Sequence, residues 1–387
     1  MNPEKLEKFI SIINENFFLK EFSFSKNNFS PPQLSELQFA DHVIWLDDLL
    51  ITFEIKNRDT LASHTPEKEI EWFKNKIIKE AKRQIKGTLN YLKIHKEINI
   101  TNERGHVFNV ASANLRKKVH VILYSPHELL PEEYRRKKHY LSDSAGFIHL
   151  ITAYDYIEVC RILITPAEIS NYLEFRKNII SKWEREANLL PEQALVGQFL
   201  HGNFSMSPSD EFIKYFLAFN QNRNEFDMLP FLKKFPELIT TANNPYEYYE
   251  ILAELAKLNR NEFKEVKLRI DLCIEKAKNL EYDKPYRFTS TYTRCGFVFM
   301  SVPSEYKRNF LVGLNDFTSA HKYDQKLQKC IGICIVDSDG EHSNIGWYLI
   351  KEDWIYNAEI EQKLKDNFPF RLVEEVSVPR YSFDENN

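Results

Sequence analysis

The sequence has little glycine, no paired cysteine spacing and no long apolar run. Only 10 of its 387 residues are glycine, so a low-complexity linker or a collagen-like segment is not expected. The five cysteines are odd in number and contain no CxxC pair, which argues against a disulfide framework or a structural zinc site and favours a reducing, cytoplasmic setting. No apolar run approaches the roughly 18 residues of a membrane-spanning helix. The charged N-terminus is not typical of a signal peptide.

The length and the charge distribution leave several classes of function open. A chain of 387 residues is expected to form two or three domains. Residues 1–185 carry 28 Lys and Arg against 25 Asp and Glu, a balance of +3, whereas the whole chain has a net charge of -4. A slightly basic N-terminal part permits a polyanionic partner without requiring one. None of the eleven histidines falls in a paired metal-ligand spacing.

The order of the predicted elements in the N-terminal part indicates an α/β fold. Apolar periodicity predicts helices at 3–17, 67–96, 128–139, 155–163 and 165–187. Runs of β-branched and aromatic residues predict strands at 41–56 (as a hairpin), 107–111, 119–124 and 147–152. Strands that alternate with helices predict a mixed central sheet flanked by helices.

In the rest of the chain, the pattern of predicted secondary structure changes twice. Residues 188–283 are mostly helical in pattern, and a second, smaller α/β module with strands at 287–300, 329–337 and 347–351 is expected after them. The predicted domains are therefore 1–187, 188–283 and 284–387. No role is assigned to the last two.

The stretch from Asp41 to Lys56, DHVIWLDDLLITFEIK, predicts a hairpin with its turn at Asp47-Asp48. A two-residue turn places Asp41 opposite Glu54, and Lys56 lies two positions beyond Glu54 on the same face. Two carboxylates and an ammonium group therefore converge at one end of the hairpin. Such charges are costly in a sheet that packs between helices, so they are expected to have a function.

Two interpretations of these charges are open. One is a salt bridge on an exposed strand, and the other is a divalent metal site. In the second, Asp41 and Glu54 supply hard oxygen ligands and the Ile55 carbonyl is a natural third, a set that suits Mg²⁺ or Mn²⁺. Lys56 would position the attacking water or help to deprotonate it, and would offset charge at the phosphorus.

The spacing of Asp41, twelve intervening residues and Glu54-Ile55-Lys56 resembles the core signature of the PD-(D/E)XK nuclease superfamily. The stretch FADHVIWLDDLLITFEIKNR is similar to the strand pair of nuclease-related domains. This resemblance covers about residues 1–185 and implies a restriction-endonuclease-like core that hydrolyses phosphodiester bonds. It implies nucleic acid as the partner, DNA more than RNA, and Mg²⁺ or Mn²⁺ as the cofactor. A homodimer and a setting in anti-phage defence are options that it leaves open.

The resemblance also implies roles for individual residues. Asp41 and Glu54 would bind the metal, Lys56 would be catalytic, and Gln84 in the following helix would support the site or contact phosphate. Glu36 matches the position of an occasional acidic residue. No proline precedes Asp41, which departs from the name-giving motif at a position that contacts no metal.

Weaker candidates and other classes of function remain. Arg58, Lys82 and Arg83 could contact a backbone phosphate, although short basic runs are more often solvated. One alternative is a nuclease-fold module that binds or senses nucleic acid without cleaving it. Another places the working unit in residues 190–387, as a partner-binding or ligand-binding part that regulates the nuclease.

Overall fold

The computed structural model describes residues 3–31, 35–58, 64–225, 227–228, 232, 246–279, 284–302, 310–337, 343–371 and 379–383. By internal contacts the chain divides into two compact units, Met1–Gln221 with Tyr381–Asn387, and Asn222–Arg380. The division at Gln221 falls inside the helical region predicted over 188–283, and the three-part division of the chain stays a prediction. Over the described ranges, no helix is both long and apolar enough to cross a membrane.

The first unit is built on a mixed sheet. Its strands are β1 (Ser23–Phe24), β2 (Asn28–Phe29), β3 (Leu37–Gln38), β4 (His42–Leu46), β5 (Leu49–Asn57), β6 (Asn99–Thr101), β7 (Val107–Asn109), β8 (Lys117–Ser125), β9 (His139–Ser142) and β10 (Gly146–Thr152). Among the described residues, six of these strands form one sheet in the order β1-β4-β5-β8-β10-β9. β8 pairs in parallel with both β5 and β10, and the other neighbours are antiparallel.

Helices cover both faces of this sheet. They are α1 (Pro3–Phe17), α2 (Pro66–Trp72), a π-helical segment (Phe73–Glu80), α3 (Ala81–Ile94), α4 (Glu132–Arg135), α5 (Ala153–Ile162), α6 (Pro166–Lys182), α7 (Glu184–Leu189), α8 (Glu192–His201) and α9 (Ile213–Leu217). Leu6 and Ile10 of α1 pack with Ile51 and Phe53 of β5 on one face. The stripe that begins with Phe73 packs against β8 and β10 on the other. The predicted mixed central sheet with flanking helices is therefore confirmed.

The hairpin has the predicted register and the predicted two-residue turn. Leu46 pairs with Leu49, and the ladder continues to His42 opposite Phe53. Asp47 takes the left-handed conformation with φ 54°, which aspartate tolerates better than most residues. The Trp45 indole N–H donates to the Asp47 carbonyl (2.9 Å), which stabilises a turn that lacks glycine.

Two local predictions were wrong. The helix expected over 128–139 is reduced to α4, because His139 begins β9 and pairs with β10. The helix expected to start at Asp155 starts at Ala153 instead. Thr152 is its N-cap and accepts a hydrogen bond from the Asp155 N–H (3.1 Å), while the Asp155 carboxylate accepts one from the Thr152 hydroxyl (2.7 Å).

The second unit contains the smaller sheet. Its strands are β11 (Tyr286–Thr289), β12 (Cys295–Val302), β13 (Lys329–Asp337) and β14 (Ser343–Lys351), and its helices are α10 (Tyr248–Ala256), α11 (Arg260–Lys278), α12 (Phe310–Asp324) and α13 (Ala358–Asp366). The sheet order is β11-β12-β13-β14, with β12 and β13 parallel. A second sheet in the C-terminal part was predicted, although the run over 287–300 proves to be two antiparallel strands.

Candidate metal centre

The hairpin register brings the predicted charges together. Asp41 lies one residue before β4, and the pairing of His42 with Phe53 continues to Asp41 beside Glu54. The Asp41 carboxylate reaches over the neighbouring strand and accepts a hydrogen bond from the Ile55 N–H at its Oδ2 atom (2.7 Å). Because a backbone donor fixes this carboxylate, its position depends on β5 itself.

Lys56 joins the two carboxylates. Its Nζ atom lies 2.9 Å from Asp41 Oδ2 and 3.4 Å from Glu54 Oε2, and it also donates to the Ile55 carbonyl oxygen (3.4 Å). The side chains are 9% exposed at Asp41, 1% at Glu54 and 12% at Lys56. All of the atoms predicted to surround a metal ion therefore meet in one largely dry cluster.

The electrostatics of the cluster follow from this burial. Burial raises the pKa of Glu54 well above its ordinary value, and the nearby Asp41 charge raises it further; Lys56 offsets only part of this. Burial alone would lower the pKa of Lys56, but the charges of Asp41 and Glu54 outweigh it, so the net shift is upward. The cluster therefore favours the charged form of Lys56 and disfavours the ionised form of Glu54 unless a cation is added.

The segment that leads into Asp41 is anchored on both sides. The Asn27 side-chain oxygen accepts from the Ala40 N–H (3.2 Å), and the Asn27 carbonyl accepts from the Phe39 N–H (3.1 Å). From the other side, the buried Thr88 hydroxyl of α3 donates to the Phe39 carbonyl. These bonds connect Asp41 to α3, the helix that carries Gln84.

A cavity of about 430 Å³ opens between the hairpin and α3. Asp41 and Glu54 lie along it on the sheet side, and exposed Arg83 and Lys86 lie along it on the helix side. Its lining residues are Gln38, Phe39, Ala40, Asp41, Glu54, Arg83, Gln84, Lys86, Gly87, Asn90 and Tyr91. The cavity thus has buried acidic groups that suit a cation and exposed basic groups that suit an anion.

Gln84 lines the same cavity, as its place in the helix pattern indicated. Its Oε1 atom is buried and has no hydrogen-bond partner among the described residues. A buried carbonyl oxygen without a donor is uncommon in folded proteins and costs about 1–3 kcal/mol. A donor or a cation inside the cavity would satisfy it.

Other predicted residues lie elsewhere or have other partners. Glu36 is exposed and does not line the cavity. Arg58 donates through Nε to both carboxylate oxygens of Glu69 (3.0 and 3.1 Å), so its guanidinium group is already paired. Lys82 donates to the Tyr140 hydroxyl (3.0 Å). Of the three weaker basic candidates, Arg83 alone lines the cavity.

Sequence reasoning missed three polar residues at the cavity. Gln38 donates from Nε2 towards Asp41 Oδ1 at 3.5 Å, and Lys86 and Asn90 lie on the same side of α3 as Arg83. The helical spacing from Arg83 to Lys86 and Asn90, at i, i+3 and i+7, is a signal that could have found the two on the helix.

These residues fit a hard divalent cation. Two adjacent carboxylates, the Ile55 carbonyl and the unpartnered Gln84 oxygen are all oxygen donors of the kind that Mg²⁺ and Mn²⁺ prefer. Comparison of the chain with protein-family models, with curated proteins and with solved structures finds no match. The relation to the nuclease superfamily therefore stays a prediction that depends on the residues described above.

Proposed function

We propose that the first unit is a metal-dependent nuclease of the PD-(D/E)XK type. The proposal is based on the contact of Lys56 with both Asp41 and Glu54, and on the cavity that these two carboxylates line together with Gln84 of α3. The order of elements supports it too, since β5 carries Glu54 and Lys56 and is followed by the helix that carries Gln84, as the resemblance implies.

The residues of the site would have different roles in binding and catalysis. Asp41, Glu54 and the Ile55 carbonyl would hold Mg²⁺ or Mn²⁺, which when bound polarises phosphoryl oxygens and lowers the pKa of water. In the metal-free cluster, the charges of Asp41 and Glu54 raise the pKa of Lys56. In the reaction, Lys56 would position the attacking water or help to deprotonate it, and would offset negative charge at the phosphorus.

The basic residues of α3 would hold the nucleic acid. Arg83 and Lys86 are exposed at the cavity, where their charges can meet phosphate groups while the buried carboxylates face the cation. Contacts of this kind orient a substrate without reading its sequence. DNA is the favoured substrate, with RNA as the other choice.

A cleavage screen tests the proposal. Full-length protein with Mg²⁺ or Mn²⁺ is incubated with single-stranded and double-stranded DNA and RNA. We expect cleavage of at least one substrate, and a loss of about 100-fold or more in Asp41→Asn and Glu54→Gln, because even outer partners of metal ligands are worth about 10–100-fold. Glu71→Gln, which changes an exposed carboxylate on α2, is the matched control and should cleave normally. The proposal is refuted if all three variants are equally active, or if the native protein cleaves none of the substrates.

One observation favours a second candidate, a nuclease-fold module that binds nucleic acid without cleaving it. Lys56 contacts both carboxylates, at 2.9 and 3.4 Å, and the raised pKa of Glu54 favours its protonated form, so the cluster can balance its charge without a metal ion. Metal binding separates the two candidates. A module of this kind would bind nucleic acid equally well with Mn²⁺ or with a chelator. In a Mn²⁺ titration, the native protein and the Glu54→Gln variant would then bind the same number of ions.

A further inference from the structure

Two histidines and a glutamate form a cluster just beyond the end of β5. His64 precedes α2, Glu69 lies in α2 and is fully buried, and His127 follows β8. One ligand atom of each side chain lies within 4.8 Å of the other two. The histidines are 63 positions apart along the chain, so spacing alone did not indicate them.

Glu69 is held as an anion. Its Oε1 atom lies 2.7 Å from His64 Nδ1, and both of its oxygens accept from Arg58. Pairing with the guanidinium group of Arg58, which is permanently charged, favours the ionised form of this carboxylate. A buried, ionised carboxylate is thus available beside the two imidazoles.

His64 has one nitrogen in use and one unused. Its Nδ1 atom faces Glu69, which places the ring proton between them and leaves a lone pair on Nε2. Nε2 is buried and has no hydrogen-bond partner among the residues that the structure describes. An ion in place of that ring proton would contact Nδ1 and Glu69 Oε1 together, because these two atoms are 2.7 Å apart and metal ions displace protons from their ligands.

His127 completes the cluster. Its ring stacks on the His64 ring with centroids 3.9 Å apart and planes 6° from parallel. Its Nδ1 atom accepts from the Leu129 N–H (3.2 Å). The stack places the ring nitrogens of His127 beside those of His64.

We propose that His64, Glu69 and His127 bind one divalent transition-metal ion of the Zn²⁺ class. Two imidazoles and a carboxylate with an open fourth position are a donor set that suits Zn²⁺. The all-oxygen cluster at Asp41 and Glu54 suits Mg²⁺ or Mn²⁺ instead. Because each nitrogen lone pair lies in its ring plane, the parallel rings tilt apart when they share one ion.

The proposed site lies where β5 and β8 end, so a bound ion would connect several elements of the fold. β5 and β8 end side by side, and the Arg58 N–H donates to the Ser125 carbonyl there (3.2 Å). An ion held by His64, Glu69 and His127 would tie both strand ends to the start of α2. The proposal does not depend on nuclease activity.

The test measures Zn²⁺ binding to the full-length Glu54→Gln protein, in which the carboxylate site is disabled. Calorimetry is expected to show one Zn²⁺ per chain, with affinity reduced at least about tenfold in an added His127→Gln or His64→Gln substitution. His106→Gln, in the turn between β6 and β7, is the matched control and should bind as tightly as the parent. Far-UV circular dichroism checks that each variant is folded.

Equal affinity in the His127→Gln and His106→Gln proteins overturns the proposal, as does a parent that binds no Zn²⁺. Crystals of the parent grown with Zn²⁺ decide the matter if both site variants fail to fold. Anomalous density at about 2.0–2.2 Å from nitrogens of His64 and His127 supports the site. Density elsewhere, or none, refutes it.

Discussion

Replacing Lys56 by methionine removes the cation between two buried carboxylates and keeps most of the apolar stem. In the native protein, Lys56 Nζ lies 2.9 Å from Asp41 and 3.4 Å from Glu54, and water has little access to either carboxylate. Removing one partner of a buried ion pair costs about 3–5 kcal/mol, because the remaining charge is uncompensated.

Two features place the expected loss near the lower end, at about 3 kcal/mol. Asp41 keeps its hydrogen bond from the Ile55 N–H (2.7 Å). Glu54 can take up a proton, since its pKa already lies well above the ordinary value. That proton is lost as pH rises, so the variant should be destabilised more at pH 8 than at pH 5.

Urea unfolding with and without Mn²⁺ measures both the loss and its relief. Lys118→Met, at an exposed position of β8, is the matched control and should change the free energy of unfolding by less than about 0.5 kcal/mol. Mn²⁺ should stabilise Lys56→Met more than it stabilises the native protein, because it replaces the missing charge. If Lys56→Met is as stable as Lys118→Met, or if Mn²⁺ has no effect on it, the reasoning is refuted.

Three further substitutions test other parts of the structure. The folded-state pKa of Glu54 is raised, so the native protein loses stability relative to Glu54→Gln as pH rises above about 4.5. Urea unfolding at pH 4 and pH 8 should show that the variant is the more stable protein only at the higher pH. The opposite order would contradict this. Gln84→Leu should stabilise the protein by about 1–3 kcal/mol, because it removes a buried oxygen that has no partner in the described part of the chain, yet should lower cleavage about tenfold. Unchanged cleavage with lost stability would show a purely structural role. Glu192→Gln should cost about 3–5 kcal/mol at pH 7, because Glu192 pairs with fully buried Arg176 (2.6 Å). Since the pKa of Glu192 is lowered, this contribution is present above about pH 4.5 and is lost as pH falls, and a loss that does not depend on pH would contradict the assignment.

The hairpin and its charges could be predicted because they obey short-range rules. Side chains alternate along a strand, so one turn position determines which residues face each other. Asp41, Glu54 and Lys56 therefore meet as expected, and the helix period places Gln84 at the same cavity.

Features that depend on distant parts of the chain could not be predicted in this way. The His64, Glu69 and His127 cluster joins three segments that meet only when β5 and β8 pair. The pairing of Arg58 with Glu69, which removes Arg58 from the candidate phosphate contacts, has the same origin.

The packing of the later helices also depends on distant contacts. α8 lies within the helical region predicted over 188–283, and its Leu195 and Phe199 are buried in the core beneath the large sheet. The run over 128–139 was taken as helical because its polar and apolar residues suit a helix, whereas pairing of His139 with β10 determines its conformation.

The most direct test of the central claim is a crystal structure of the full-length protein grown with Mn²⁺, with anomalous data collected for manganese. If Asp41 and Glu54 bind the ion, one anomalous peak is expected about 2.0–2.3 Å from carboxylate oxygens of both residues, with the Lys56 ammonium displaced from between them. A site without manganese, with Lys56 still bridging the two carboxylates at a saturating concentration of the ion, would contradict it.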